Sequence, residues 1–547
     1  MDIWSYIRAV LCLLGGLGAF LMGVTSLSDN TEKLSNSKIK SLFNKTSKSR
    51  LAGVGIGTVT TAVVQSSGVT TVMIVGLVNA GILTLFQATT MIMGANIGTT
   101  ITAQLASLQQ FDFMVIALPL TFIGALINMI SKNDKRKTVG YLIAGLGLIF
   151  VGLDFMSAAT EDFQHSKEVM DLFATIKNPF LLLFIGFALT ALTQSSSVVT
   201  SVLIVFAGNG LIVGGGGNSV LYIILGTNIG SCITALISSV GAGENARRAS
   251  LIHLMFNTFG SIIFFIFFIC WPGFMDATFA RWFPAAETQV AMFHTAFNVI
   301  CTLLFLPFAD GFVKLSRWII RDKKEETKTV PNGFLDERML NTPGIALDAA
   351  GKAMLHLLDM SYESLDMSFV GFEKKDVSSA ETVAENNEKI AAFAKNITDF
   401  LIKVSSQNIG LNDEKLISAM HNNVGDIVRI SELAENVTKY TKRVVKDGLE
   451  FSPYVNSKLE QMLEKLHAIK KLTEDFVSAG NYALIGDIES TEDEIDNMRR
   501  GLLKDHVARL NNGECRPESS SVFINLVCNL ERVGDHVNYI AQTYKDL

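Results

Sequence analysis

Two short segments of this chain carry the side chains best suited to hold an ion. Residues 61–71 read TAVVQSSGVTT and residues 190–200 read TALTQSSSVVT, so both follow T-x-x-x-Q-S-S-x-x-x-T. A second pair lies downstream, GANIGTT over 94–100 and GTNIGSC over 226–232. The copies are offset by 129 residues in the first pair and 132 in the second. Two matched motifs in the same order indicate an internal repeat. The side chains are amides and hydroxyls without formal charge. At interrupted helices, the free N–H groups and positive dipole end of a half-helix favour an anion. Unwound carbonyls, hydroxyls and amide oxygens suit Na+. Such a site holds an anion weakly by itself, because nothing in it supplies full positive charge. A bound cation would supply it, which gives cotransport a physical basis. The plainer role for isolated Ser, Thr and Gly residues is close helix packing, and Gly55, Gly57 and Gly214 to Gly217 read that way. His253 with Asn257 and His294 with Asn298 share helical spacing and read as satisfied bundle residues more readily than as ligands.

The segments that must position these motifs are unusual. Residues 51–111 and 178–243 contain no Asp, Glu, Lys or Arg, yet both are rich in Gly, Ser, Thr, Asn and Gln. Their polar groups need partners inside a bilayer, which broken or re-entrant helices buried in a bundle provide. Apolar stretches near 9–28, 113–131, 139–158, 249–270 and 288–308 surround them, each close to the about 20 residues of a spanning helix. Basic clusters set orientation. Lys33 to Arg50, Lys132 to Lys137, Arg247 with Arg248, and Lys314 to Lys324 mark cytoplasmic loops. The segment with Glu161, Asp162, Glu168 and Asp171 reads as an external acidic loop. Copy one is then entered from inside and copy two from outside, so the copies are inverted, as in many secondary transporters. The repeats run over about 4–131 and 139–270, with a last helix at 288–308. Asp112, Asp154 and Asp310 read as interfacial residues near helix ends.

The chain has 547 residues, net charge −6 and mean hydropathy +0.35. Residues 1–310 hold 16 Lys or Arg and 14 Asp or Glu, whereas 311–547 hold 30 and 38. A membrane domain followed by a soluble one fits this split, and a single soluble enzyme domain does not. No large basic patch points to nucleic acid. Six scattered cysteines suggest no disulfide framework. The N-terminus lacks the basic region of a signal peptide, so its apolar run reads as a retained first helix.

The paired Q-S-S motifs, the Thr four residues before and six after each Gln, and the two G-x-N-I-G segments resemble the type II Na+/phosphate cotransporters over about residues 10–310. The resemblance implies an all-α fold: a polytopic membrane domain of inverted repeats with re-entrant helical hairpins. It implies inorganic phosphate as substrate and Na+ as driving ion. By similarity Gln65, Ser66, Ser67, Ser195 and Ser196 line the phosphate site, while Gln194, Thr71, Thr200, Asn96 and Asn228 help hold Na+. The first motif departs from the family pattern at Gly68, where a third Ser is expected; the second keeps Ser197.

After a linker over 313–339 the pattern becomes polar and helical. Asn341, Thr342 and Pro343 form a helix entry signal. The break from Asp447 and Gly448 to Pro453 divides 340–547 into two bundles, about 340–445 and 452–547. This region resembles PhoU-like domains through NLERVGDH at 529–536 and DIVRISELAEN at 426–436. Glu531 and Asp535 share a helix face and can ligate a hard divalent metal, as that family does; a solvated acidic face partnered by Arg532 and Arg429 is the alternative. In the first bundle Val428 and Glu432 stand where the acids are expected.

The leading expectation is a secondary active phosphate transporter in the cell (inner) membrane, coupled to Na+ by alternating access, with its C-terminal domain cytoplasmic and regulatory. Phosphate export by the same machinery, and a membrane phosphate sensor that moves nothing, are the alternatives. Partners would be phosphate, Na+, the lipid bilayer and, as a candidate, a second copy in a homodimer. No nucleophile–base constellation or P-loop is found, so an enzyme is not expected.

Overall fold

A computed structural model describes residues 3–44, 49–111, 114–164, 166–211, 213–321, 335–341, 343–407, 409–479, 481–513 and 515–545. Every regular element among them is a helix. The chain divides into two compact units, Met1–Lys324 and Glu325–Leu547.

The first unit opens with α1 (Ile3–Asn44), which runs far past the apolar stretch at 9–28. No Gly or Pro follows Gly23 in it, so its polar second half stays helical. The first charge-free region folds as α2 (Arg50–Val64), α3 (Ser67–Asn79), α4 (Leu85–Gly98) and α5 (Thr100–Ser107). Then come α6 (Met114–Ile130), α7 (Asp134–Gln164) and α8 (Lys167–Thr175). The second charge-free region folds as α9 (Pro179–Thr193), α10 (Ser196–Gly208), α11 (Ser219–Gly230) and α12 (Cys232–Ser238). The unit closes with α13 (Glu244–Cys270), two short turns α14 (Phe274–Ala277) and α15 (Phe279–Trp282), α16 (Ala286–Phe305) and α17 (Ala309–Ile319).

Five described stretches are long and apolar enough to cross a membrane: Tyr6–Thr31, Lys135–Glu161, Ser219–Ser238, Glu244–Cys270 and Ala286–Ile319. Helices α8 and α9, bent by 107° at their junction, form either one broken span or a re-entrant loop. The two copies share one plan: each breaks at the Gln of the first motif, and each continues in helical conformation through the residue after the N-I-G of the second, Thr99 and Ser231. In each, the first and third helices pack backbone to backbone. A Cβ on Gly57 would lie 2.0 Å from the Met91 carbonyl oxygen, and one on Gly94 would lie 2.0 Å from that of Val54. In the other copy Gly186 meets Ile223 at 2.1 Å and Gly226 meets Leu183 at 1.9 Å. Small residues permit this approach, and dispersion along the backbones holds it. Helix α13 packs on α3 and α12, while α16 packs on α5 and α10, so each touches both copies. His253 and His294 are buried on these two helices and are not satisfied as expected: Asn257 and Asn298 donate to their backbone carbonyls one turn before, and the ring nitrogens of both have no hydrogen-bond partner among the described residues.

Several local expectations change. The acidic segment expected as an external loop is mostly helix: α7 runs to Gln164, and the Ser166 hydroxyl caps α8 by accepting from the Val169 N–H. Arg248 is no solvated loop residue. It is 3% exposed in the second turn of α13 and donates to the Ile320 carbonyl, closing the end of α17. Asp310 pairs with Arg50 at 2.8 Å, and Asp154 lies within α7 rather than at its end. Asp112 and residues 322–334 of the expected linker lie outside the described residues, while 313–319 continue α17.

The second unit holds α18 (Pro343–Glu373), α19 (Ser379–Ser405), α20 (Leu411–Asp447), α21 (Pro453–Ala479), α22 (Ile485–Asn511) and α23 (Pro517–Gln542). Pro343 starts the first helix, and Gly448, at φ 59°, ends α20 in the left-handed conformation that glycine adopts without strain. Two three-helix groups result, joined into one body where α20 packs on α23. The buried Tyr362 hydroxyl donates to the Leu466 carbonyl across them, and His536 meets Asp426 at 2.9 Å.

Gly57→Val should destabilise the full chain by about 3 kcal/mol or more, because neither backbone can yield. Gly55, with nothing near its Cβ direction, should accept Ala with a gain of about 0.5–1 kcal/mol. Thermal unfolding of the purified protein checks both.

Candidate functional site

Each Q-S-S motif interrupts a helix in the same way. Gln65 has φ 56° and ψ 14°, and Ser66 has φ −141° and ψ 110°. Gln194 has φ 54° and ψ 22°, and Ser195 has φ −144° and ψ 107°. One left-handed residue ends the first helix and one extended residue starts the next. Each Gln therefore caps a helix C-terminus where Gly is usual, and an L-residue there costs roughly 1–2 kcal/mol. Among the described non-glycine residues only Lys375 shares this positive φ. A strained conformation kept twice at the same motif position points to a use for the side chain.

The serines complete the break. The Ser66 hydroxyl accepts from the Val69 N–H at 3.3 Å and the Ser195 hydroxyl from the Val198 N–H at 3.4 Å, each an N-cap. The two glutamines then differ. Gln65 is held by Thr102, whose hydroxyl donates to its Oε1 at 2.9 Å, and its own Nε2 donates to the Ala62 carbonyl at 2.6 Å. Gln194 is exposed.

Both breaks open onto one cavity of about 270 Å³. Its lining includes Gln65, Ser66, Ser67 and Gly68 from one copy and Gln194, Ser195, Ser196 and Ser197 from the other, with Ser231. The first turns of α3 and α10 thus face the same space, and their N–H groups and positive dipole ends suit an anion. The volume lies just below the roughly 300–1,000 Å³ of drug-sized ligand pockets, a size for a small ion and waters. Gly68 is not sterically required: a Cβ there would sit 3.5 Å from Thr234, an ordinary contact.

The remaining predicted residues lie outside this lining. Thr71 is buried and donates to the Ser67 carbonyl at 2.7 Å; Asn96 and Asn228 donate to Ile92 and Ile224 at 2.8 and 2.9 Å. The buried hydroxyls of Thr61, Thr190 and Thr200 have no hydrogen-bond partner among the described residues. The cavity also contradicts the expectation of an uncharged site. Helix α1 contributes Thr25, Ser28 and the acidic residue Asp29 to the wall. The available signal was the polar run Ser28, Asp29, Asn30 closing the first apolar stretch, more than 30 residues before the motif it joins.

In the second unit Glu531 and Asp535 share a face of α23, as their spacing requires. They face a second pair with the same spacing, Glu492 and Asp496 on α22. Arg499 bridges them, at 2.6 Å to Asp496 and 3.1 Å to Glu531. It, rather than Arg532, makes the ion pair, and it supplies positive charge where a divalent cation would otherwise do so. Among the described residues no three His, Cys, Asp or Glu side chains converge on a metal position. Burial raises the Glu531 carboxyl above its usual range, with Asp535 adding to the effect. Glu492 is pushed up to about 7 by burial and by its hydrogen bond with Asp535.

Residues 19–158 and 161–275 match the Na+/Pi-cotransporter family, and residues 354–441 and 459–543 match the PhoU domain. The chain is 30% identical over 305 residues to the uncharacterized protein YqeW of Bacillus subtilis, covering 56% of this chain and 96% of that one. It is 23% identical over 543 residues to "Putative inorganic phosphate export protein YjbB" of Escherichia coli, covering 96% and 95%. Over 110 residues it is 34% identical to sodium-dependent phosphate transport protein 2B of Pongo abelii, covering 20% and 16%.

Gln194→Gly should leave the protein about 1 kcal/mol more stable than Gln194→Ala, the reverse of helix propensity, because only Gly is unstrained there; paired thermal unfolding curves read it. Glu492 binds its proton more tightly folded than unfolded, so its contribution to stability is present at low pH. That contribution is lost as pH rises from the unfolded value near 4.5 through about 7. Between pH 5 and pH 8 the melting temperature of the second unit should fall less in Glu492→Gln than in the parent chain.

Proposed function

The chain belongs to the Na+/Pi-cotransporter family of phosphate transporters and carries a C-terminal PhoU domain, and from that premise we propose that it is a secondary active transporter of inorganic phosphate coupled to Na+. The observation that carries this reading is the convergence of two equivalent helix breaks on one cavity. In the proposal phosphate is bound by the Ser66, Ser67, Ser195 and Ser196 hydroxyls, by Gln65, and by the N-termini of α3 and α10. Na+ is held by Gln194, with Thr71, Thr200, Asn96 and Asn228 contributing when the breaks rearrange. The unpartnered Thr200 hydroxyl supports that role.

The two copies would lie inverted in the cell (inner) membrane and rock against each other around the cavity, giving alternating access. The second unit would lie in the cytoplasm and restrain the carrier according to internal phosphate. A divalent metal at Glu531 and Asp535 would have to displace Arg499. Sodium coupling is favoured by the short match to a sodium-dependent transport protein. Net export is the second reading, favoured by the name of the full-length Escherichia coli relative.

Radiolabelled phosphate flux in proteoliposomes, with and without a Na+ gradient, tests the proposal. Na+-dependent flux is expected, and Gln65→Ala or Gln194→Ala should each lower it by about tenfold or more. Phosphate binding without flux under any gradient would replace the carrier with a sensor. Flux unaffected by both substitutions would move the transport site elsewhere.

A further inference from the structure

The cavity wall contains one charged side chain, and it has the wrong sign for an anion site. Asp29, an exposed residue of α1, lines the wall together with the Q-S-S breaks, and none of the other lining residues is Lys, Arg or His. Its neighbour fixes it there: the Ser28 hydroxyl donates to the Val64 carbonyl, at the last residue of α2 before the left-handed Gln65. Position 29 is therefore tied to the break itself. The cation that acts on Asp29 is Lys33, one turn further along α1 and outside the lining. A phosphate held at the N-termini of α3 and α10 would share a small space with this carboxylate, and the two repel. The same wall offers the oxygens a small hard cation needs: the Asp29 carboxylate, the exposed Gln194 amide and several serine hydroxyls.

We infer that Asp29 is a ligand of the coupling Na+, and that phosphate occupies the cavity stably only once this carboxylate has been neutralised by the ion. The inference rests on reading the cavity as the phosphate site. It adds a ligand from α1, outside both repeated motifs, and makes the coupling obligatory.

The full chain decides it, with Asp29→Asn and Asp29→Glu beside the parent. Phosphate flux in proteoliposomes is titrated with Na+, and melting temperature is followed in Na+ against K+ at matched ionic strength. In Asp29→Asn the half-saturating Na+ should rise about tenfold or more, and in Asp29→Glu about threefold. The Na+-specific rise in melting temperature should vanish in Asp29→Asn. A Na+-dependent parent whose Asp29→Asn variant keeps the same half-saturation and thermal shift overturns this inference and leaves the transporter reading standing. A parent indifferent to Na+ in both measurements removes the coupling reading and this inference with it. Should Asp29→Asn fail to fold, an unchanged Na+ dependence in Asp29→Glu, whose carboxylate is displaced by a methylene, overturns it.

Discussion

A helix interrupted within a bilayer leaves up to about four C=O groups at the end of its first half and four N–H groups at the start of its second half without partners, and lipid offers them none. The first unit interrupts helices at two equivalent places, so everything around those places must answer that cost. The Ser66 and Ser195 hydroxyls take one N–H each, and the Ser28 hydroxyl takes the Val64 carbonyl. Elsewhere Thr84 and Gln87 cap α4 reciprocally, and Asn178 caps α9. What these partners leave over is the rest of the N–H groups in the first turns of α3 and α10, whose residues line the cavity. The site and the repair of the broken helices are made of the same atoms.

The close helix pairs follow from the same constraint. Short half-helices cannot gain much from their own hydrogen bonds, and lipid gives no hydrophobic drive for association. Backbone contact at Gly57, Gly94, Gly186 and Gly226 offers the dispersion that side-chain burial would supply in water. It also pairs α2 with α4, and α9 with α11, beside the first turns of α3 and α10, where Ser67, Ser196 and Ser197 are buried. Helices α13 and α16, each touching both copies, tie the pairs together.

Much of this was legible because the motifs are local. T-x-x-x-Q-S-S sits at the break, and Gly448 with Pro453 marks a helix end in a few residues. The helical content of the second unit followed from apolar spacing alone. The failures are of another kind. Asp29 reaches the cavity because α1 packs against the start of the first copy, a long-range fact with no periodicity to announce it. The continuation of α1 to Asn44 and of α7 to Gln164 overrode a reading that equated helix length with membrane thickness. Arg248 looked like a solvated charge because charged residues mostly lie at the surface, whereas its guanidinium donates to the Ile320 carbonyl at the end of α17. Glu492 and Asp496 repeat the spacing of Glu531 and Asp535 and were readable in principle, but their pairing through Arg499 is tertiary.

Charge decides what the cavity can do. Two unit charges about 5 Å apart repel by about 3 kcal/mol at an effective dielectric near 20, about a hundredfold in affinity. If the cavity takes phosphate beside Asp29, a cation that cancels this repulsion raises phosphate affinity by that order. By linkage phosphate raises the cation's affinity by the same factor. Neither ion then binds well alone, so the doubly loaded and empty states dominate, which is what tight coupling requires of a carrier. The same arithmetic bears on direction. A carrier that moves phosphate only with its cation follows the combined gradient of both, so export would need either abundant internal phosphate or relief of the Asp29 charge by something other than an inward-driven ion. Direction in this chain would then depend on how Asp29, the charged residue of the cavity wall, is neutralised.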